Sequence, residues 1–147
     1  MNTKVKILVE VEGCKPEKNN LTDIGYDLKA ADGYVVNPGQ TVIVSAGFKM
    51  ALPKEENYIW EAQVRPRSGM SAKSGMRVAN APGSIDADYR GTVGVIMHNT
   101  GEDKYYIEKG DKIAQMVITR VPITELEEVE VLDETERGEK GFGSSGR

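Results

Sequence analysis

The sequence predicts an all-β domain of the sandwich, barrel or jelly-roll kind. Hydrophobic residues alternate with polar ones at a period of two through most of the chain, and helical periodicity is almost absent. Turns that contain Gly and Pro separate the alternating stretches, and many short strands joined in this way indicate packed sheets or a barrel. The 147 residues, 39% of them hydrophobic, fit one domain with its own core.

Three alternating stretches predict the strands of the first half of the chain. They cover residues 4–12, 34–44 and 58–65. The second stretch is divided by Pro38 and Gly39, a favourable pair for the centre of a type II turn, so it predicts two strands that flank this turn.

The second half of the chain predicts further strands at residues 92–99 and 111–121, the latter entered through a turn at Gly110. A last, charged strand is predicted at residues 125–133, where hydrophobic and acidic residues alternate. Residues 67–76, RSGMSAKSGM, are small and polar and predict a loop with one or two helical turns.

The composition disfavours several function classes. A formal net charge of -4 disfavours nonspecific nucleic-acid binding, which requires a basic surface. One cysteine, Cys14, and one histidine, His98, make an internal disulfide impossible, disfavour a zinc site and leave little for Cys/His or Ser/His/Asp catalysis. No apolar run approaches the ~20 residues of a membrane helix, and the N-terminus lacks a signal peptide's apolar segment. We therefore expect a cytoplasmic protein without a membrane or nucleic-acid partner.

The C-terminal residues 136–147 differ from the rest of the chain. They are rich in Gly and Ser, with Phe142 as their one aromatic residue, and cannot bury enough surface to order themselves. They are either a frayed terminus or a flexible arm that closes over a ligand. We predict a β domain at residues 1–135 and an arm at residues 136–147.

Three other places carry polar side chains suited to binding. Arg67, Ser68 and Gly69 combine a guanidinium, a hydroxyl and a close backbone approach, as in an anion cradle, although a merely polar loop has the same composition. Asp27 lies in an otherwise apolar strand, where a carboxylate requires a partner, solvent or a metal. Gln115 also lies in an apolar strand, facing either a ligand or solvent.

These segments occur together in one known order. The sequence resembles the trimeric deoxyuridine triphosphatases, the dUTPases, through all five motifs of that family. The matching segments are GYDLKA (25–30), RPRSGMSAK (65–73), NAPGSIDADYRG (80–91), GDKIAQM (110–116) and RGEKGFGSSG (137–146). The resemblance implies a distorted jelly roll, also called a β-clip, that forms a homotrimer whose active sites are shared between subunits.

The same resemblance implies an activity. Members hydrolyse dUTP to dUMP and pyrophosphate with Mg²⁺, which limits uracil incorporation into DNA and supplies dUMP for thymidylate synthesis. By the third motif, Asp86 would activate the water that attacks the α-phosphorus, and Asp88 is the rival candidate for this role. Tyr89 would pack against deoxyribose and exclude a 2′-hydroxyl. Uracil would be read by a tight hairpin that includes Asn80, Gly83, Ser84, Ile85 and Gly94.

The other motifs would hold the triphosphate and the metal. Arg67, Ser68, Gly69 and Gln115 match phosphate-binding positions, and Asp27 matches an aspartate that holds Mg²⁺ through water. The resemblance also implies roles for the arm. Arg137 would clamp phosphate, and Phe142 would lie over the uracil ring. Gly143, Ser144 and Ser145 would donate hydrogen bonds to the β- and γ-phosphates.

Two other functions are considered. A dCTP deaminase shares the fold but uses a glutamate in the strand after the third motif, and residues 92–99 contain no acid. A regulatory protein would bind a partner, as some phage relatives do, but no inserted segment is present. One departure from the family is Thr92, where many relatives carry an acidic or amide residue.

Overall fold

The computed structural model describes residues 2–143. Within them the chain forms eleven strands and one short helix. The strands are β1 (Lys6–Val9), β2 (Tyr26–Lys29), β3 (Tyr34–Val36), β4 (Thr41–Ser45), β5 (Phe48–Ala51), β6 (Tyr58–Arg65), β7 (Met76–Val78), β8 (Gly83–Ile85), β9 (Gly94–Asn99), β10 (Tyr105–Ile107) and β11 (Lys112–Pro122), and the helix is α1 (Ser68–Lys73).

The strands form antiparallel sheets whose neighbours are mostly distant in sequence. The largest sheet has the order β2-β11-β6-β8, the second has the order β4-β9-β7, and the pairs β1-β5 and β3-β10 complete the fold. Such crossing connections between short strands are typical of a jelly roll. The prediction of an all-β, distorted jelly-roll domain is confirmed.

The core is built mainly from aliphatic side chains and methionine. Its largest fully buried members include Phe48, Leu28, Met97 and Ile113. The alternation in β6 is borne out, since Ala62 and Val64 are buried in this core while their neighbours in the strand are more exposed.

The predicted turns and the predicted helix are present. Gln40 N donates to Asn37 O at 2.9 Å, and Gly39 has a φ of 77°, as the third position of a type II turn requires. Gly110 has a φ of 90° in the turn before β11. Helix α1 lies inside the polar segment that predicted it and is the one helix among residues 2–143; it is far too short to cross a membrane.

The predicted strand at residues 125–133 is wrong for the described chain. The last strand ends at Pro122, and the segment after it is irregular and exposed, with Leu126 96% exposed. Alternation supplies β propensity, but a strand also needs a neighbour for its backbone hydrogen bonds, and residues 2–143 of this chain provide none there. The division into a domain of residues 1–135 and an arm of residues 136–147 remains a prediction.

Candidate active site

A polar pocket of about 300 Å³ lies where β2, β11 and the start of α1 meet. It gathers residues from three of the predicted motifs that are far apart in sequence. Its lining comprises Asn19, Asp23, Ile24, Gly25, Asp27, Arg67, Ser68, Gly69 and Gln115. We call it the Arg67 pocket. It contains every residue that the first, second and fourth motifs contribute to the predicted site.

Asp27 is paired with two cations in the Arg67 pocket. Its Oδ1 lies 3.3 Å from Arg67 Nε, and its Oδ2 lies 3.2 Å from Lys112 Nζ. Arg67 is further fixed by a hydrogen bond from its guanidinium to Lys112 O at 3.4 Å. The Asp27 side chain is 16% exposed, and these two ion pairs compensate the cost of holding a carboxylate largely away from water.

Gln115 is held by both its hydrogen bond and its packing. Its Nε2 donates to Pro66 O at 2.9 Å, one residue before Arg67. Gly25 lies against the same side chain, because a Cβ at position 25 would overlap Gln115 Oε1 and lie 3.0 Å from Gln115 Cβ. Gly25 therefore leaves room for the Gln115 amide to stay beside the polar segment of residues 67–76, which we call the Arg67 segment.

The Arg67 segment places small residues at the beginning of α1. Arg67 is the N-cap with an extended backbone, at φ −89° and ψ 133°, and Ser68 and Gly69 begin the helix. A Cβ at Gly69 would meet no atom within 4 Å. The backbone at this point is thus open to a ligand that enters the pocket.

A second pocket, of about 350 Å³, contains the acidic corner of the third motif. Residues of β4, β8 and β9 line it together with the loop between β8 and β9. The lining comprises Ile43, Ser84, Ile85, Asp86, Tyr89, Thr92, Val93, Gly94 and Ile96. We call it the Asp86 pocket. Asp86 is exposed, and its carboxylate makes no hydrogen bond or ion pair within residues 2–143. Asp88 is exposed as well but does not line the pocket.

The predicted tight hairpin has a different form. Strands β7 and β9 pair, with Val78 opposite Met97, and residues 79–93 form the connection between them. Within this connection β8 pairs with β6, since three residues of each strand are in register. Asn80 and Gly83 are adjacent to each other, a Cβ at Gly83 lying 3.1 Å from Asn80 Nδ2, but neither lines the Asp86 pocket.

The Arg67 and Asp86 pockets have no lining residue in common. In one chain, therefore, the residues predicted to bind phosphate and those predicted to contact sugar and water face different cavities. The described part of the arm, residues 136–143, lines neither pocket. Arg137 Nε donates to Lys140 O at 2.8 Å, and Phe142 is fully exposed. Gly143 is the last described residue, and Ser144 and Ser145 lie outside the described residues.

Sequence reasoning missed Lys112 and the N-terminal side of the Arg67 pocket. Lys112 belongs to the segment GDKIAQM that was singled out for Gln115, but a lysine on a strand is usually a solvated side chain. Asp23 and Ile24 are recognised as lining residues only in three dimensions. His98 has a structural contact, with its Nδ1 2.8 Å from Thr41 Oγ1 across β4 and β9.

The donor set fits a metal held largely by water and phosphate. Among residues 2–143 no group of three or more His, Cys, Asp and Glu side chains converges on one point. The Arg67 pocket supplies only two carboxylates, Asp23 and Asp27. This is too few for a protein cage, but it suits Mg²⁺, which retains several waters and takes oxygens from substrate phosphates.

Comparison with known proteins identifies the family. The dUTPase family matches residues 12–146, nearly the whole chain. The chain belongs to the dUTPase family. The deoxyuridine 5′-triphosphate nucleotidohydrolase of Clostridium tetani (strain Massachusetts / E88) is 43% identical over 144 residues, which cover 98% of this chain and 96% of that protein. The enzyme of the same name from Rickettsia bellii (strain OSU 85-389) is 46% identical over 145 residues, 97% and 94% of the two chains.

Solved dUTPase structures have the same fold. The dUTPase of Staphylococcus bacteriophage 80alpha with dUpNHpp superimposes with a TM-score of 0.87 at 30% identity, covering 99% of this chain and 100% of that one. A mutant dUTPase from phage phi11 of S. aureus, whose structure reveals the coordination of a structural Mg(II) ion, gives a TM-score of 0.76 at 26% identity over 87% and 97% of the chains.

Proposed function

We propose that this dUTPase-family chain hydrolyses dUTP to dUMP and pyrophosphate in an active site assembled from several copies of the chain. The separation of the Arg67 and Asp86 pockets carries this proposal. One dUTP molecule has to contact the phosphate-binding residues and the catalytic carboxylate at once. A pocket from one copy facing the other pocket from a second copy meets this requirement.

The Arg67 pocket would bind the triphosphate. Arg67 offers a planar guanidinium suited to phosphate oxygens, Gln115 offers an amide, and the open backbone at Gly69 allows close approach. Such a site accelerates phosphoryl transfer chiefly by positioning the substrate and neutralising its charge.

Asp27 would hold Mg²⁺ through bound water. When bound, the ion supplies charge neutralisation on the phosphate oxygens. The role of this chain is to keep Asp27 in place, which the ion pairs with Arg67 and Lys112 accomplish.

The Asp86 pocket would hold the sugar, the base and the attacking water. Asp86 has no competing partner among the described residues, so its carboxylate is available to accept a proton from water as the water attacks the α-phosphorus. Tyr89 lines the same pocket and would lie against deoxyribose. The backbone of Ser84, Ile85 and Gly94, which line the same pocket, would pair with the uracil edge, so that cytosine would leave polar groups unpaired.

A homotrimer in which a third copy contributes the arm is the assembly that we propose. The segment after β11 exposes apolar side chains that a monomer would leave in water, namely those of Ile123, Leu126, Val129, Val131 and Leu132. Arg137 and Phe142 are exposed as well, and Arg137 donates to Lys140 O within the same segment. In the trimer the arm of residues 136–147 would close over the substrate of a neighbouring site.

The activity is tested with purified protein, dUTP and Mg²⁺, by measuring pyrophosphate release. Asp86→Asn should lower kcat by about 10²-fold or more, because the amide cannot accept the proton. Asp88→Asn is the matched control, since this neighbouring carboxylate does not line the pocket. Full activity in Asp86→Asn, or a larger loss in Asp88→Asn, would refute the assigned base.

The shared site is tested by mixing two inactive variants. Arg67→Ala and Asp86→Asn damage different pockets, so a site that takes its Arg67 pocket from an Asp86→Asn chain and its Asp86 pocket from an Arg67→Ala chain has both pockets undamaged. Co-refolding equal amounts should restore activity at about a quarter of the sites in random trimers. No recovery, with trimers shown by light scattering, would contradict a site shared between copies.

The arm is tested by deleting residues 137–147. Turnover should be lost while the trimer persists, because the arm contacts no part of its own body among the described residues. A truncated protein that dissociates, or that retains the full rate, would contradict the idea that the arm acts only as a cover over the substrate.

A further inference from the structure

We infer that Glu10 is a positioning residue which, through Thr92, fixes the Tyr89 ring and thereby sets the preference for deoxyribonucleotides over ribonucleotides. This inference rests on the proposed function, because it takes the Asp86 pocket as the place where the sugar binds. It concerns residues from the N-terminal strand region and from the loop before β9 that the five motifs do not assign.

The Tyr89 ring contacts its own loop although the residue is 47% exposed. Its hydroxyl donates to Thr92 O at 3.0 Å. The ring also lies directly on Gly91, since a Cβ at that position would overlap the Tyr89 hydroxyl and lie 2.9 Å from Cε1. The tyrosine thus folds back on its own loop, and its position depends on the position of that loop.

The loop is tied to the sheet of β1 and β5 by a side-chain hydrogen bond, next to the backbone hydrogen bond from Val93 N to Phe48 O at 2.9 Å. Thr92 Oγ1 donates to Glu10 Oε1 at 2.6 Å, joining residues that are far apart in sequence. Glu10 follows β1, and its amide donates to Gly47 O at 2.9 Å. Its other carboxylate oxygen lies 3.8 Å from Lys49 Nζ on β5. Glu10, which anchors the loop, is therefore itself held by a backbone hydrogen bond and by an ion pair of its side chain.

The fixed ring matters more for selectivity than for turnover. Rejection of a 2′-hydroxyl by steric overlap requires that the ring does not yield, because a displacement of about one ångström removes the overlap. Deoxyribose has no 2′-hydroxyl, so its binding does not require a fixed ring. Loosening the chain of contacts from Glu10 through Thr92 to Tyr89 should therefore increase the use of UTP more than it decreases the use of dUTP.

The experiment measures kcat/KM for dUTP and for UTP in four variants. Glu10→Ala and Thr92→Val remove the hydrogen bond, whereas Glu10→Gln and Thr92→Ser keep an acceptor and a donor in place. The dUTP/UTP ratio should fall about three- to tenfold in the first two, as expected for one partly exposed hydrogen bond, and remain near the parent value in the second two. The change should lie mainly in the KM for UTP.

The matched control is Glu12→Ala. Glu12 is another exposed glutamate close by, and its side chain makes no hydrogen bond or ion pair within residues 2–143. A merely structural role for Glu10 predicts a lower melting temperature with an unchanged ratio, and this result would overturn the inference. The dUTP/UTP ratio of the double variant, Glu10→Ala with Thr92→Val, should equal that of either single variant, because both substitutions break the same hydrogen bond.

Failure of the inference is distinguishable from failure of the proposed function. If the parent protein does not hydrolyse dUTP, the proposed function fails. The fixed ring is then still measured by NMR, through the contact between the Tyr89 ring protons and Gly91. This contact should weaken in Glu10→Ala and persist in Glu10→Gln, and a contact that is equally strong in both variants would overturn the positioning role.

Discussion

Gly25→Ala should impair the Arg67 pocket by displacing Gln115. The new Cβ would overlap Gln115 Oε1 and lie 3.0 Å from its Cβ and 3.1 Å from its Cδ. Rotation of the terminal amide relieves only the first of these contacts. The side chain as a whole has to move, and it then gives up the 2.9 Å hydrogen bond from Nε2 to Pro66 O.

The size of the effect follows from these two losses. One partly buried hydrogen bond contributes about 0.5–1.5 kcal/mol, and the remaining crowding adds about 1 kcal/mol. The free energy of unfolding should therefore fall by about 1.5–2.5 kcal/mol, which lowers the melting temperature by roughly 5–10 °C. If Gln115 contacts phosphate as proposed, kcat/KM for dUTP should fall about tenfold, since about 1.4 kcal/mol of binding is lost.

A double-mutant cycle with Gln115→Ala tests the mechanism. Without the glutamine amide, the Cβ introduced at position 25 meets only the Cβ at position 115, so the second substitution should cost about 1 kcal/mol less than in the parent. The control is Gly33→Ala, whose Cβ would lie 3.4 Å from Ile107 O in ordinary contact. Purely additive effects of Gly25→Ala and Gln115→Ala would refute the reasoning.

Three further predictions concern the same framework. Gly69→Ala should leave the melting temperature unchanged or slightly higher, because its Cβ would meet nothing within 4 Å and alanine favours a helix by up to about 1 kcal/mol. If phosphate approaches this backbone, the same substitution should raise the KM for dUTP. An unchanged KM would contradict that approach. Asp27→Asn should lower the free energy of unfolding by about 1–2 kcal/mol in urea titration, because two ion pairs with partly exposed cations are lost; an unaltered midpoint would show that neither pair stabilises the fold. Asn99→Asp should lower the free energy of unfolding by at least about 3 kcal/mol in the same titration. The Asn99 side chain is 1% exposed and donates to Val36 O and Asp103 O, and a carboxylate cannot donate these hydrogen bonds. A small decrease would mean that the site admits water.

The sequence sufficed for most of the β domain because the relevant signals are local. Alternation places Ala62 and Val64 on the buried face, and Pro38 with Gly39 specifies its turn by backbone geometry alone. The composition of the Arg67 segment also sufficed to predict a short helix, since few residue types there favour a strand. These features need no knowledge of which strands become neighbours.

The errors and omissions arise where distant parts of the chain have to meet. Residues 125–133 have a strand-like pattern, but a pattern does not specify a partner, and the described chain supplies none. The family resemblance implied a tight hairpin here, whereas β8, within the connection of residues 79–93, pairs with β6. The hydrogen bond between Thr92 and Glu10 has no sequence signal, because an exposed glutamate is ordinarily solvated.

The two cations on Asp27 suggest how the Arg67 pocket passes from its free to its bound state. Arg67 and Lys112 bind different oxygens of the carboxylate, so either cation can leave without displacing the other. A triphosphate that drew the Arg67 guanidinium toward itself would still leave Asp27 paired with Lys112. The carboxylate would then keep a charge partner and its position in β2, and its other oxygen would be available to hold Mg²⁺ through water as proposed above. A single cation could not serve both purposes, because its departure would leave a mostly buried carboxylate without a partner.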